Sequence, residues 1–306
     1  MPTPVKLDTA VLDPDRVSLL IGGRVHRDWN RYDIDSDLLT PADAWQVTLG
    51  LPDGQFPPQV TPGAPVEVRV GTDTVMSGRI DEIRHALARG QHRLEINGRD
   101  GAAILLDCSA PQFNGRRAAL SEVLASLVRP LGITRIALRS PHDPVLDKVD
   151  TEPGDTAWAV LARLAEAQGL WPWFEPDGTL VVGGPDYAAA PVASLVVRTS
   201  GTGNNVLSLS LSRNMAGRYS EVNVLGQSHG TAAGNGAHAV LATACDREVG
   251  HYRPRNVVDA DVASAEAALT RARKLVNDAR LDGLSLVAEV GGHRTAGGVL
   301  WAPGQR

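Results

Sequence analysis

The clearest alternation of apolar and polar residues lies between Pro62 and Ser109. Every second residue of Val66–Val70 is apolar and the residues between them are charged, and the same period of two returns in His92–Asn97. This period is typical of a strand with one buried face. Val75–Ile83 lies between the two segments and is bounded by short glycine-containing turns. The stretch therefore predicts a three-stranded antiparallel meander with one solvated face.

The first third of the chain carries further strand patterns around this meander. Val17–Ile21 and Arg24–Tyr32 flank a Gly-Gly turn, and Trp45–Leu51 alternates apolar and polar positions. About five or six short antiparallel strands in such a stretch predict a small barrel or sandwich. We assign residues 1–113 to this first β-barrel-like domain, with Met1–Pro14 as an extended N-terminal arm.

Residues 114–185 change to a helical period. The apolar positions of Ala118–Leu131 fall three and four residues apart, which predicts an amphipathic helix. A second helix is predicted to begin at Asp155, a residue type that caps helices. Trp171–Phe174 and Thr179–Val182 flank a Pro-Asp-Gly turn and predict a hairpin. These residues form a predicted α/β domain.

Residues 186–306 return to strand patterns and include one long alanine-rich helix at 260–281. The predicted cap of this helix is Asp259 or Asp261. The predicted strands are Val192–Arg198, Leu207–Ser212 and Leu284–Val290. In the second of these strands, leucines alternate with serines, which predicts one buried apolar face. We interpret this part as a second β-barrel-like domain.

Composition limits the classes of function. Hydrophobic residues make up 43% of the 306 residues, enough for two or three domains. The formal net charge is −5 with acids and bases interspersed, which argues against a surface that coats nucleic acid. No apolar run approaches the roughly 20 residues that span a bilayer, and Met1–Asp13 lacks a signal-peptide core. Cys108 and Cys245 exclude a disulfide framework and favour two buried reduced thiols in a cytoplasmic protein, with one bridge as the alternative.

The histidines and one glycine-rich segment are candidates for metal and phosphate binding. None of the eight histidines has the spacing of a zinc motif. His229, His238 and His251 could converge on a metal, but a solvated loop is the favoured interpretation. Gly201–Asn205 loosely resembles a phosphate-binding loop, yet it lacks the Lys-Ser/Thr pair and precedes a strand rather than a helix. We therefore predict a turn there, and neither a metal nor a cofactor.

Carboxylates and tryptophans are the remaining candidates for chemistry. The carboxylates that a glycosidase could use are Asp81, Glu82, Glu152 and Asp155. Glycoside hydrolysis needs two carboxylates held across a cleft, and these lie in alternating strands or at a helix start, where solvated or capping roles are ordinary. The tryptophans that could line a sugar-binding groove are Trp158, Trp171 and Trp173. Packing of a helix against a strand is the favoured interpretation, so no catalytic residue is predicted.

Several motifs resemble a known family through their order and spacing. They are V-S-L-L-I-G-G at 17–23 with Trp29 after it, the valine alternation after Pro62-Gly63, S-G-R-I-D-E-I at 77–83, L-E-I-N-G-R-D-G-A-A-I-L-L-D-C-S-A at 94–110 and D-G-T-L-V-V at 177–182. In register over almost the whole chain, they resemble the baseplate hub protein of Mu-like contractile-tailed phages, the tail protein P family. Each motif alone is weakly specific.

The resemblance implies a mainly β fold with an α/β insertion, in which two related small β-barrel-like domains flank an α/β domain. It implies a structural protein without enzymatic activity: a homotrimeric ring in the virion tail baseplate, assembled in the host cytoplasm. Its partners would be the tail tube, the membrane-piercing spike and other baseplate proteins. Neither membrane insertion nor specific nucleic-acid binding is expected, although DNA would pass through a central channel. A tail-associated cell-wall hydrolase and a carbohydrate-binding tail protein stay open as alternatives.

The two β regions show one internal similarity. Trp45–Leu51 precedes Pro62-Gly63 by about the same gap as Leu284–Val290 precedes Pro303-Gly304. If the two Pro-Gly pairs correspond, the second barrel lacks the strands that follow Pro62 in the first. We then expect the natural chain to continue past Arg306, or a partner to supply those strands.

Overall fold

The alternating segments form strands, and the protein is mainly β, as the sequence predicts. The computed structural model describes residues 13–27, 29–50, 60–89, 91–184, 188–226, 240–262 and 264–306. The first of two units comprises Met1–Ala103, Phe174–Thr179 and Gly292–Gln305. The second unit comprises Ile104–Trp173, Leu180–Gly291 and Arg306.

The first unit contains a seven-stranded sheet. Its strands are β1 (Val17–Ile21), β2 (Arg24–His26), β3 (Arg31–Asp35), β4 (Ala44–Gly50), β5 (Pro65–Val70), β6 (Asp73–Ala88) and β7 (Gln91–Asp100). The spatial order is β2-β1-β5-β6-β7-β4-β3, and the predicted meander of β5, β6 and β7 is confirmed as antiparallel. Alternate residues of these strands bury one core, which includes Leu19, Ile21, Trp45, Val47, Val66, Val68, Met76, Ile80, Leu94 and Ile96.

This sheet is strongly curled but is not a closed barrel. The predicted return strand Arg24–Tyr32 is two strands, because β2 pairs with β1 at one edge and β3 pairs with β4 at the other. His26 and Arg31 are five residues apart, so they are separated by at most about 18 Å. A flat sheet of seven strands would hold its edges roughly 29 Å apart. The edges are therefore drawn together, yet among the described residues no ladder joins β2 to β3.

The predicted α/β region forms helices and small sheets. Its elements are α1 (Ala102–Asp107), β8 (Asn114–Ala119), α2 (Leu120–Val128), β9 (Ile136–Arg139), β10 (Val145–Asp150), α3 (Ala157–Ala167), β11 (Trp171–Phe174) and β12 (Leu180–Gly183). The predicted hairpin is confirmed, since β11 and β12 are neighbours in a sheet with β9. Helix α3 is capped by Thr156 rather than Asp155: the Thr156 hydroxyl accepts a hydrogen bond from the Ala159 amide at 3.2 Å.

The last region contains a helix on a three-stranded sheet and a separate ribbon. Its elements are β13 (Ser208–Arg213), β14 (Glu221–Gly226), β15 (Val240–Cys245), β16 (Pro254–Asp259), α4 (Ala265–Asp282) and β17 (Leu284–Glu289). Helix α4 begins after Ser264, whose hydroxyl accepts from the Ala267 amide at 3.1 Å, so the predicted caps Asp259 and Asp261 were wrong. The helix buries Ala268, Ala272 and Val276 against the sheet.

One predicted strand of this region is corrected and one predicted turn is confirmed. Residues 192–198 form no strand, because the Asn204 and Asn205 side chains bind their backbone: the Asn205 carboxamide oxygen accepts from the Val196 amide at 2.7 Å, and that of Asn204 accepts from the Arg198 amide at 2.7 Å. The predicted turn at Gly201–Asn205 is confirmed, with Gly201 and Gly203 at positive φ.

The segment Gly292–Gln305 lies with the first unit. The Arg294 guanidinium donates to the Asp73 carboxylate at 2.7 Å and to the carbonyls of Val70 and Pro14 at 3.3 Å each. The correspondence of Pro303-Gly304 with Pro62-Gly63 stays a prediction; the later pair is grouped with the first unit.

Both cysteines are free, which is the alternative that the sequence favours over a disulfide bridge. Cys108 is half-buried and Cys245 is exposed, so the prediction that both thiols are buried was wrong. Within the described ranges, no helix is both long and apolar enough to cross a bilayer.

Candidate assembly surfaces

The carboxylates considered for glycosidase chemistry bind neighbouring groups. Asp81 accepts from the Arg99 guanidinium at 2.6 Å across two strands, and Glu82 accepts from the Asn97 carboxamide at 3.2 Å. Asp155 accepts from the Glu152 amide at 3.3 Å in the turn before α3. Each of these contacts orders a strand pair or a turn.

The histidine candidates are not brought together as a site in the described part of the chain. His229 and His238 lie outside the described residues, and His251 is exposed. Among the residues that the structure describes, no three His, Cys, Asp or Glu side chains form a group that could hold a metal.

The three tryptophans of the α/β region are half-buried rather than fully buried. The expectation that Trp158 belongs to the packed core of α3 is therefore only partly met, whereas residues of that helix such as Val160, Leu161 and Leu164 are fully buried. One face of the Trp171 ring is occupied by the Lys274 ammonium, 4.2 Å from the ring centre. Lys274 also donates to Asp278 at 2.6 Å. A sugar would have to displace this lysine to stack on Trp171.

A buried carboxylate, Asp246, anchors the turn after β15. It accepts from Arg218 at 2.6 Å and from Arg280 at 2.7 Å, and its side chain is 2% exposed. Arg218 also binds the exposed Glu248 at 2.7 Å. The hydrogen bond from Arg280 is the main reason that the pKa of Asp246 lies far below its usual range, with Arg218 acting in the same direction and burial opposing both. This network joins the end of α4 to the sheet beneath it; its spacing along the chain gives no sequence motif.

A second buried carboxylate, Asp100, ends β7. Its carboxylate accepts from the Ala102 amide at 2.9 Å and so begins α1. Burial raises the pKa of Asp100 to about 7, and the neighbouring Asp43 carboxylate adds to the rise. In the part of the chain that the structure describes, Asp100 binds a backbone amide and Asp246 binds two arginines.

The ribbon formed by β13 and β17 is exposed to solvent on both faces. The two strands pair antiparallel over six residues each, with Leu211 opposite Leu286 and Leu209 opposite Ala288. Among the described residues, neither outer edge of the ribbon pairs with another strand. Every residue of β13 is exposed, and so is every residue of β17 except the half-buried Ala288.

One face of this ribbon is apolar. It carries Leu209, Leu211, Leu284, Leu286 and Ala288, which we call the leucine face. Arg213, opposite Leu284, lies at one end of this face. Its leucines are 46–55% exposed. The opposite face carries mainly serines. An isolated two-stranded ribbon is marginally stable in water, and open apolar edges invite pairing with another chain. The leucine–serine alternation predicts the apolar face, but its predicted burial is wrong among the described residues, which leave the face exposed.

Comparison with known proteins gives these surfaces a context. Four sequence families match successive parts of the chain. They are the Mu phage baseplate assembly protein GpP-like N-terminal domain (residues 16–100), the baseplate hub protein gp44-like second domain (102–184), the tail protein NMB1110-like third domain (218–276) and a tail protein C-terminal domain (278–306).

Individual proteins match along almost the whole length. The crystal structure of the tail protein from Neisseria meningitidis MC58 is 39% identical, covers 95% of this chain and 84% of its own, and has a TM-score of 0.81. Baseplate hub protein gp44 of Escherichia phage Mu is 25% identical over 297 residues, which span 94% of this chain and 76% of that protein. The 43 kDa tail protein of prophage MuSo2 from Shewanella oneidensis shares the fold at 23% identity and a TM-score of 0.77, over 95% of this chain and 87% of its own.

A β-rich chain with uncovered apolar strands and these similarities is a phage tail protein. The chain belongs to the family of Mu-like phage baseplate hub proteins. The matched families consist of structural proteins of the tail and baseplate. The resemblance seen in the sequence motifs is thereby confirmed.

Proposed function

We propose that three copies of this chain form a ring in the baseplate that connects the tail tube to the membrane-piercing spike. The observation that carries the proposal is the match to a baseplate hub protein over 94% of the chain. A hub that joins two other structures needs extensive subunit contacts. The exposed leucine face supports such contacts, since apolar surface of this kind is stabilised when another chain covers it.

The division of the chain supports the same function. We propose that residues 1–113, 114–185 and 186–306 act as three parts, with β-rich parts on either side of the α/β part. Three chains with two β-rich parts each would place six such parts around the axis, which suits a six-fold tube above a three-fold spike. In this arrangement Pro62–Asn97 and Val206–Gly226 contribute to neighbouring β-rich parts of the ring.

The hydrolase and the carbohydrate-binding alternatives have less support. Three of the four carboxylates that the sequence offers, Asp81, Glu82 and Asp155, bind partners in a strand pair or a turn. Trp171 is covered on one face by Lys274. We propose that the protein has no catalytic activity, binds no cofactor and is assembled into the tail in the host cytoplasm.

Reconstruction of the intact tail by electron cryomicroscopy tests the proposal. Density for three copies of this chain, in contact with the tube on one side and the spike on the other, is the expected result. A single copy, a six-copy ring, or a position remote from the tube axis would contradict it. Incubation of the purified protein with cell walls provides an independent check, since release of peptidoglycan fragments would favour the hydrolase.

A further inference from the structure

A cleft of about 420 Å³ lies between α4 and the edge strand β15. Its charged side chains are those of Arg247, Arg273 and Arg280, and among the described residues neither a carboxylate nor a lysine lines it. We call it the arginine cleft. A small cleft with this lining favours an anionic ligand over a neutral one.

The elements around the arginine cleft fix the backbone positions of its cationic groups. Arg273 and Arg280 are seven residues apart on α4, so they lie on the same side of the helix. Arg247 follows Asp246 in the turn after β15, and the Asp246 carboxylate holds this turn by accepting from the Glu248 amide at 3.1 Å. Groups that the fold already holds in place lose less conformational freedom when a ligand binds.

The positive charge of this region is not balanced within the described part of the chain. Arg280 binds Asp246 at 2.7 Å, but the exposed Arg247 and Arg273 have neither an ion-pair nor a hydrogen-bond partner among the described residues. A neighbouring cleft of about 950 Å³ shares Arg280 and adds Arg213, which is exposed and also has no such partner there. Three cations without a counter-charge therefore gather in one region of a chain whose formal net charge is −5.

The arginine cleft also reaches the outer edge of β15. Thr243, Ala244 and Cys245 line it in succession, although successive side chains of a strand point to opposite faces. The cleft therefore extends along the backbone of the strand. Among the described residues this edge of β15 pairs with no other strand, so its outward amides and carbonyls can pair with a strand added from another chain.

These backbone groups decide which kind of anion fits the arginine cleft. A phosphate of a nucleic acid or of a lipid headgroup would bind the guanidinium groups, but it offers no amide to the carbonyls of the edge. An extended polypeptide supplies both amides and carbonyls, and its carboxylates can form two parallel hydrogen bonds with a guanidinium. The negative net charge of the whole chain also disfavours long-range attraction of nucleic acid.

We propose that the arginine cleft binds an extended acidic segment of another protein. The backbone of this segment adds to the edge of β15, and its carboxylates bind Arg247 and Arg273. The inference goes beyond the proposed hub function and does not depend on the number of copies in the baseplate, because one chain contains the whole cleft.

The test measures fluorescence anisotropy of a fluorescein-labelled peptide of alternating glutamate and threonine, titrated with the full-length chain. In an added strand all the glutamates of this peptide lie on one face. Saturable binding that weakens as salt is raised is the expected result. A peptide with glutamine in place of glutamate should not bind. A peptide with proline in place of threonine keeps the charges but lacks half of the amides, so it should bind at least roughly tenfold more weakly.

Substitutions in the chain locate the binding site. Arg247→Glu and Arg273→Glu should each weaken binding of the glutamate peptide by at least roughly tenfold, because each loses a charge-assisted pair. The matched control is Arg84→Glu in the first unit, which makes the same change in net charge at a side chain that is 68% exposed and should bind as the wild type does. If either cleft variant unfolds, Arg247→Gln and Arg273→Gln, with an expected loss of at least roughly threefold, provide the same comparison.

Other occupants of the arginine cleft are tested with the same variants. An oligothymidylate or vesicles of phosphatidylglycerol that bind as tightly as the glutamate peptide, and are lost with the same substitutions, would overturn the inference. Self-association that Arg273→Glu abolishes in analytical ultracentrifugation would identify a second copy as the occupant and would overturn it as well. So would a glutamate peptide that does not bind, or one whose binding neither substitution in the cleft weakens.

Discussion

The seven-stranded sheet of the first unit and the ribbon of the second contain the same kind of strand in different surroundings. In β5, Val66, Val68 and Val70 alternate with polar residues and are at most 3% exposed. In β13, Leu209 and Leu211 alternate with serines and are 46% and 54% exposed. The valines face a core made by their own chain, whereas the leucines are exposed among the residues that the structure describes. Alternation therefore predicts that a strand has two faces, but not whether its own chain covers the apolar one.

The largest expected effect is the loss of the Trp45 side chain from the first sheet. Trp45 is 2% exposed and packs against Gly98, where a Cβ would be 2.7 Å from the indole ring. Trp45→Ala should lower the free energy of unfolding by about 3–5 kcal/mol. Urea denaturation followed by far-UV circular dichroism measures this change. An effect below about 1 kcal/mol would mean that the curled sheet has no core of the kind described.

The Asp100 carboxyl at the end of β7 makes the stability of the first unit depend on pH. Its pKa rises from 3.8 to about 7 in the folded protein, so the folded state binds the proton more tightly than the unfolded state. Stability should then fall as pH rises from about 4 to 7 and stay lower above pH 7. Asp100→Asn keeps an acceptor for the Ala102 amide and should stabilise the protein at pH 8 by at most roughly 4 kcal/mol.

Urea titrations of the wild type and of Asp100→Asn at pH 4 and pH 8 check this prediction. The two proteins should have similar stability near pH 4, where the carboxyl is neutral in both states. A wild type that is more stable than the variant at pH 8 would contradict the burial of Asp100.

The second unit contains a buried ion-pair network around Asp246 in addition to its apolar core. Asp246→Ala leaves Arg218 and Arg280 without their buried partner and should cost about 3 kcal/mol. Because the pKa of Asp246 is depressed in the folded state, its contribution is present above pH 4 and is lost only as pH falls well below that value. Denaturation at pH 7 measures the effect, with Glu248→Gln as a control whose side chain is 68% exposed. If Asp246→Ala and Glu248→Gln lowered the free energy of unfolding equally, the burial of Asp246 would not explain its contribution to stability.

The smallest expected effect is on the ribbon of the isolated chain. Leu211→Ala should change the stability of the monomer by less than about 1 kcal/mol, because nothing in the chain covers this side chain. A loss as large as that of Trp45→Ala would mean that the leucine face is buried within the monomer. The same urea experiment at a protein concentration below the association range makes the comparison direct.

The sequence was sufficient for elements that depend on local pattern. The meander around Val66–Val70, the hairpin at Asp177-Gly178 and the stripe of α2 follow from periods of two and 3.6 residues and from turn residues. Helix starts were less predictable, because Asp155 and Thr156 are both competent caps and adjacent. Only the backbone conformation decides which side chain accepts the amide.

The remaining features depend on long-range contacts that no local pattern encodes. The sequence of residues 192–198 predicts a strand, but the side chains of Asn204 and Asn205 form hydrogen bonds with the backbone of this segment instead. Arg294 binds Asp73 across more than two hundred positions and holds the last segment on the first unit. The Leu/Ser alternation of β13 predicted that this strand has an apolar face. Its pairing with β17 and its exposure to solvent could not be predicted from the sequence.

Hydrogen–deuterium exchange measured by mass spectrometry, on the free chain and on the assembled baseplate, tests most directly the claim that assembly covers the ribbon. In the free chain, the amides of Ser208–Arg213 and Leu284–Glu289 should exchange much faster than those of Pro65–Val70. In the baseplate the ribbon should become protected by at least tenfold, while Pro65–Val70 should change little because its core is already complete. Ribbon amides that exchange at the same rate in both samples would contradict the account.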